Sequence, residues 1–170
     1  MAKLMAPNIR IDWYPEDHFE DALNPTLREL NSGYNLSPAI VTGFTLDFAD
    51  SETEAVTTVF DFFETEKFNR HSYEASMQFF LATRGSRNDN ERAFHDAEEL
   101  FYQNTNSIGY FVKRFGYRCE VSYAVDQTID VFKVQANLPK IVTEEGSPIL
   151  LDISFIPKGE AAPAVLPTWE

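Results

Sequence analysis

The sequence predicts a mainly β domain: an antiparallel two-sheet sandwich or open barrel with one α-helix on its flank, extended terminal arms and a long hairpin. Three observations predict it. In residues 72–83, Tyr73, Ala75, Met77, Phe79 and Leu81 are apolar while Ser72, Glu74, Ser76 and Gln78 are polar, the period of two of a strand with one dry face. Further runs rich in β-branched and aromatic residues recur before and after it. Only residues 90–104 carry a stripe at helical spacing, formed by Ala93, Phe94, Ala97, Leu100 and Phe101. A sheet with one apolar face needs a second layer to cover it.

Taken in order, Ile9, Ile11 and Trp13 alternate with Arg10 and Asp12, which predicts a short strand inside an N-terminal arm covering residues 1–24. The acidic stretch 15–21 reads as an exposed loop. Asn24 and Pro25 predict a helix start, with Asn as cap and Pro in the first turn, and Asn31-Ser32-Gly33 predicts its end. Residues 39–48 predict a strand with Phe44, Leu46 and Phe48 on one face and Gly43 as a bulge. Residues 47–66 hold seven acids and no base, and two strands around Ala49-Asp50-Ser51 predict an acidic hairpin over about 44–66. Its Phe60, Phe62 and Phe63 exceed what one side of an isolated hairpin covers, so this surface is expected to meet another chain, together with Phe44 and Trp169.

Residues 84–90 predict a polar loop, and Asn88 with Glu91 has capping-box spacing ahead of the helix. Strands are then expected at 107–117, 121–125, 128–136 and 148–156, with turns at Asp126-Gln127 and at 144–147. The main domain is thus 25–156. The proline-rich residues 157–170 read as a C-terminal arm.

The net charge of −13 is the reverse of what a phosphate-binding surface requires. It fits a surface that repels DNA or one that mimics it. Fifteen Phe, seven Tyr and two Trp supply core and interface material. One cysteine, Cys119, excludes a disulfide framework within one chain and suits a reducing compartment. The first residues lack the apolar core of a secretory signal, and no apolar run approaches the ~20 residues of a membrane-spanning helix, so a soluble protein without membrane association is expected.

No phosphate-binding, nucleophile-elbow or zinc-protease motif is present. His18 sits among Asp17, Glu20 and Asp21 but reads as a solvated loop histidine, because a metal site needs convergent, supported ligands. His95 and Glu99 read as an exposed helical pair, and His71 stands alone before a strand. Arg118 beside Cys119 would lower the thiol pKa slightly. The cluster of Lys113, Arg114 and Arg118 is too small for a nucleic-acid groove and matches acids on a neighbour better. No catalytic residue, metal site or cofactor is expected.

Several strings carry a family resemblance. Residues 25–33 (Pro25 to Gly33), then Leu36-Ser37-Pro38-Ala39-Ile40, open it. Tyr73-Glu74-Ala75-Ser76-Met77, Gly109-Tyr110-Phe111-Val112-Lys113-Arg114 and Val131-Phe132-Lys133-Val134 follow in order, and Ile153-Ser154-Phe155-Ile156-Pro157-Lys158-Gly159-Glu160 closes it. Together they resemble the major tail tube proteins of long-tailed, non-contractile bacteriophages. The resemblance implies the tail tube fold, hexameric rings stacked into a tube, an inner β-barrel shared between subunits, and hairpins and arms that bridge rings. It implies self-association and contact with tape measure, terminator and distal tail proteins, assembly in the host cytoplasm and residence in the virion. DNA would pass through an acidic lumen without specific binding, and Glu74, Asp130 and Asp152, on polar strand positions, are the expected lumen acids. Two other readings stand beside it: a tail terminator or head–tail connector on the same fold, which stops at one ring, and an acidic DNA mimic, which forms none.

Overall fold

The computed structural model describes residues 8–56, 65–81 and 91–169, with the backbone alone for 51–56 and 65–71. The alternation around residue 75 becomes a long strand whose Tyr73, Ala75, Met77 and Phe79 are buried in the main core. This strand, β4 (Thr65–Phe80), joins β1 (Ile9–Pro15), β2 (Tyr34–Asn35), β3 (Thr45–Val56), β5 (Ile108–Phe115), β6 (Ile129–Ala136), β7 (Lys140–Val142) and β8 (Leu150–Val165). All are antiparallel members of one sheet, in the order β2-β1-β5-β6-β8-β4-β3 with β7 attached to β8, and among the described residues the sheet does not close.

The two expected layers are one sheet that doubles back at β8. Residues 150–155 of β8 pair with β4, and residues 155–165 pair with β6. Phe155 is the residue that stands opposite both β4 and β6, at Ala75 and Ala136. Beyond it β3 comes to lie over β6 and β5. The Phe48 and Phe132 rings are 4.8 Å apart, and the buried Lys113 ammonium donates to the Leu46 carbonyl. Residues 36–41 cross the remaining gap. Leu36 N donates to Ile11 O (3.1 Å), Ile11 N to Ser37 Oγ (2.8 Å), and Val41 N to Gln78 O (2.9 Å).

Aromatic residues fill the space between the layers. Trp13 of β1 packs 5.1 Å from Phe101 and 4.9 Å from Phe111, and Phe155 lies 4.8 Å from Phe111 and 5.3 Å from Phe101. Phe101 belongs to the flanking helix, α2 (Arg92–Ala97), which continues as a π-helical turn (Glu98–Gln103) and buries Ala93, Ala97 and Phe101. Phe80 breaks the alternation of β4 because Phe94 of α2 covers it, 5.9 Å away. Gly109 is required where β5 passes β1, since a Cβ there would lie 2.3 Å from Tyr14 O and 2.5 Å from the Trp13 ring.

The other face of β1, β5 and β6 is also covered. Tyr14, Ala22, Leu30, Tyr110, Val112, Tyr123, Ile129 and Val131 form a second core beneath the short helix α1 (Leu27–Leu30) and the 117–127 loop. Asp12 is fully buried there and accepts from Arg10 Nε (2.9 Å) and Nη2 (2.8 Å). The Tyr123 ring stacks under both Arg10 and Arg114, 4.6 and 4.9 Å from their guanidinium carbons.

Several expectations shift. The turn at Ala49-Asp50-Ser51 is a bulge instead: Ala49 faces Ser72 and Glu52 faces Arg70, so β3 holds one extra residue and runs on to Val56. The hairpin partner of β3 is therefore the central strand itself, and their connection falls in 57–64, outside the described residues. The 39–48 strand begins only at Thr45, after a 3-10 turn (Ser37–Ala39) and a turn at Gly43 with φ +90°. Residues 121–125 form no strand, because Arg10 and Arg114 take the Val121 and Ser122 carbonyls. The cap of α1 is Thr26 rather than Asn24, in a reciprocal box with Glu29. Helix α2 starts after Glu91 without a side-chain cap, and Asn88 and the 84–90 loop lie outside the described residues. Residues 9–15 are an interior strand, and β8 continues to Val165, both inside stretches read as arms.

Phe155→Ala is expected to destabilise the subunit by about 3–5 kcal/mol, measured by urea denaturation, because it empties the point where both layers meet. A loss below about 1 kcal/mol would mean that Phe155 is not that point.

Candidate assembly surfaces

A strand's outward residues are free to serve only where nothing covers them. On the β3, β4 and β8 half of the sheet, the face away from the core carries Thr45, Asp47, Glu74, Ser76, Gln78, Asp152 and Ser154, all exposed or half-buried. Register brings its acids close: Asp47 stands opposite Glu74, and Asp152 lies between Gln78 on β4 and Lys140 on β7. Like charges directly opposite repel, and the Lys113 ammonium, 3.6 Å from Asp47 Oδ1, offsets part of that repulsion. Glu74 and Asp152 thus share one surface. Asp130 does not join them. It has the parity of Phe132 and Ala136, toward the core side, and its Oδ1 accepts from Ala164 N at 3.0 Å.

The sheet offers open backbone as well. Strand β3 ends the strand order, and Lys113 reaches its Leu46 carbonyl. Because β8 changes partner at Phe155, residues 65–74 of β4 pair, among the described residues, only with β3, and residues 156–165 of β8 only with β6. At this fork Tyr73 is 3% exposed. Its hydroxyl accepts from Lys158 N (2.9 Å) and Gly159 N (3.0 Å) and donates to the Lys133 carbonyl.

The apolar surface is divided. Phe44 is half-buried against the subunit's own core, beside a groove of about 400 Å³ that also exposes Ile9, Ile40 and Val41. Trp169 is 74% exposed. Its position is fixed by the preceding residue: Leu27 N donates to Thr168 O (3.1 Å) and Thr168 N to Pro25 O (3.0 Å). Leu23 and Leu166, both exposed, lie within two residues of that clamp. Phe60, Phe62 and Phe63 lie outside the described residues. The clamp and the Leu23–Leu166–Trp169 grouping were not anticipated; the lack of period after residue 157 hid them.

The chemical candidates resolve into structural roles. His18 Nε2 is 2.9 Å from Glu29 O and 3.2 Å from Ser32 Oγ, so it ties the 15–21 loop to α1. Burial, with the Glu120 charge, pushes the Cys119 thiol up, which reverses the lowering expected from Arg118. Arg114 donates to Gln127 Oε1 and two backbone carbonyls within the subunit, and Arg118 lies 3.4 Å from Glu120. Among the described residues no group of three or more His, Cys, Asp or Glu is placed to hold a metal ion, and no helix is long and apolar enough to cross a membrane.

A family model described as "Phage tail tube protein" matches residues 1–167. No curated protein matches the chain.

The clamp rests on α1, and α1 rests on Glu29. Burial raises the Glu29 carboxyl, but backbone N–H bonds from Thr26 and Glu20 outweigh it and hold the group below its ordinary value of 4.5. A lowered folded pKa contributes stability that is full above about 4.5 and is lost as pH falls through the lowered value. Glu29→Gln is therefore expected to lower Tm at pH 7 and to flatten the decline of Tm below pH 4.5. Parallel curves for the two proteins in a calorimetric pH series would contradict this.

Proposed function

The chain belongs to the phage tail tube protein family, and from that premise we propose that its copies join through open strand edges into hexameric rings that stack into the DNA-conducting tube of a phage tail. It is a structural protein of the virion tail, and it assembles with other tail proteins. The finer reading adds tape measure, terminator and distal tail proteins as neighbours, assembly in the host cytoplasm, and no catalytic step.

The observation that carries this reading is the open sheet. An exposed long edge strand templates further pairing, and proteins that remain single blunt such edges. Among the described residues β3, 12 residues long, is the last strand of the sheet, and the fork at Phe155 leaves two more half-edges. Edge contacts of this heterologous kind close into a ring when the rotation between copies allows it. Glu74 and Asp152, with Asp47, are the proposed lumen acids, since fixed negative charge repels phosphate over a Debye length of about 8 Å at physiological salt. Trp169 and Phe44, with Phe60, Phe62 and Phe63, are the proposed packing residues between copies.

Negative-stain electron microscopy of the purified protein at rising concentration is expected to reveal hollow tubes. Isolated rings that never stack would favour a terminator or connector, and a stable monomer or dimer that inhibits a DNA-binding enzyme would favour a DNA mimic. For the lumen, tubes of the Glu74→Lys, Asp152→Lys variant are expected to retain DNA at low salt and release it as salt rises, while wild-type tubes retain none. Equal DNA retention by both would remove these acids from the lumen.

A further inference from the structure

Strands β6 and β8 fall out of register between Phe132 and Val134. Phe132 faces Ala161 and Val134 faces Pro157, so Lys133 stands opposite three residues, Lys158, Gly159 and Glu160. An unmatched segment leaves backbone N–H groups that the ladder cannot use. Gly159 adopts φ +89° there, with no atom near where a Cβ would stand. The free N–H groups of Lys158 and Gly159 find one acceptor, the hydroxyl of Tyr73, which in turn donates to the Lys133 carbonyl. One side-chain oxygen thus ties three strands at the point where β4 leaves β8. C-terminal to Tyr73, β4 pairs with β8 from Ala75 to Phe80; N-terminal to it, among the described residues, β4 pairs with β3 alone.

We propose that Tyr73 is a positioning residue for assembly: its hydroxyl, seated in the β8 bulge, sets the direction in which the β3–β4 hairpin leaves the sheet, and so the fit of that hairpin against a second copy of this chain. This rests on the reading that copies self-assemble. The Tyr73 ring packs 5.8 Å from the Phe132 ring, a contact in which the hydroxyl takes no part, so the subunit core is expected to survive loss of the oxygen. What the hydroxyl adds is direction. It accepts from both Lys158 N and Gly159 N, and so joins the bulge to the base of the hairpin.

The test compares Tyr73→Phe with Tyr14→Phe. The second variant removes a buried hydroxyl that donates to the Leu30 carbonyl at 2.6 Å, on the opposite side of the sheet. Circular dichroism reports folding and Tm; light scattering and electron microscopy report the concentration at which tubes form. Tyr73→Phe is expected to fold, with a Tm lowered by no more than about 5 °C, and to raise the assembly concentration about tenfold, equivalent to 1.4 kcal/mol of contact between copies. Tyr14→Phe is expected to lower Tm with an assembly concentration within about twofold of wild type. Gly159→Ala, which strains the same bulge through its φ of +89°, is expected to behave like Tyr73→Phe. The proposal is overturned if Tyr73→Phe assembles at the wild-type concentration, if it fails to fold, or if Tyr14→Phe impairs assembly equally. Absence of tubes from the wild-type protein would instead remove the self-assembly reading itself.

Discussion

The structure turns on a change of partner in one strand. Up to Phe155, β8 is held by β4; from Phe155 onward it is held by β6. A sheet that swaps partners within a strand must bend there, and the bend is stable only if its inner side is filled. Trp13, Phe101 and Phe111 fill it, each from a different element, with ring centroids within 6.3 Å of Phe155. The same swap strands two half-edges, so the packing that makes the core also creates the open backbone outside it. The core and the proposed assembly surface are consequences of one constraint.

The two halves of the bent sheet are treated differently. Strands β1, β5 and β6 are covered on both faces, which is why their burial is nearly continuous and why a buried Arg10–Asp12 pair and the Arg114 network occur there. Charges enclosed this way add little net stability but bind the 117–127 loop to one place. Strands β3, β4 and β8 keep one face open where they pair, and it carries Thr45, Asp47, Glu74, Ser76, Gln78, Asp152 and Ser154. Among the described residues, buried Arg10, Asp12 and Arg114 hold the 117–127 loop, while buried Lys113 reaches the backbone of β3.

Much of this was legible in the sequence because strand periodicity is a local signal. The core faces of β4 and β8 and the apolar stripe of α2 follow directly from the alternation of Tyr73 to Phe79, of Leu151 to Phe155, and of Ala93 to Phe101. What escaped depended on partners distant in the chain. The bulge at Asp50 looks like a turn until β4 is laid beside it. Residues 121–125 look like a strand until Arg10, 111 residues before Val121, claims its carbonyl. The fork itself was hidden, although three of the strings that carry the family resemblance meet there. Tyr73-Glu74, Phe132-Lys133 and Pro157-Lys158-Gly159 are short and ordinary alone, and a single hydroxyl joins them. Asp130 shows the same dependence on a distant partner: its polarity suggests an outward face, and its carboxylate accepts from the backbone of β8 at Ala164.

On the proposed self-assembly, the charge of −13 constrains how copies would come together. Like-charged subunits repel at a distance, and at physiological salt that repulsion fades over about 8 Å. Net charge would therefore not draw the copies together, and the proposed attraction acts at close range through backbone pairing and burial of apolar side chains. Lys113 shows how the subunit manages its own part of the cost. Its ammonium is carried across the core from β5 to the rim of β3, where it meets the Leu46 carbonyl and the Asp47 carboxylate beside Glu74. One cation delivered from inside lets two acids stand opposite each other on the outer face, so the electronegative surface is held by the same core that bends the sheet.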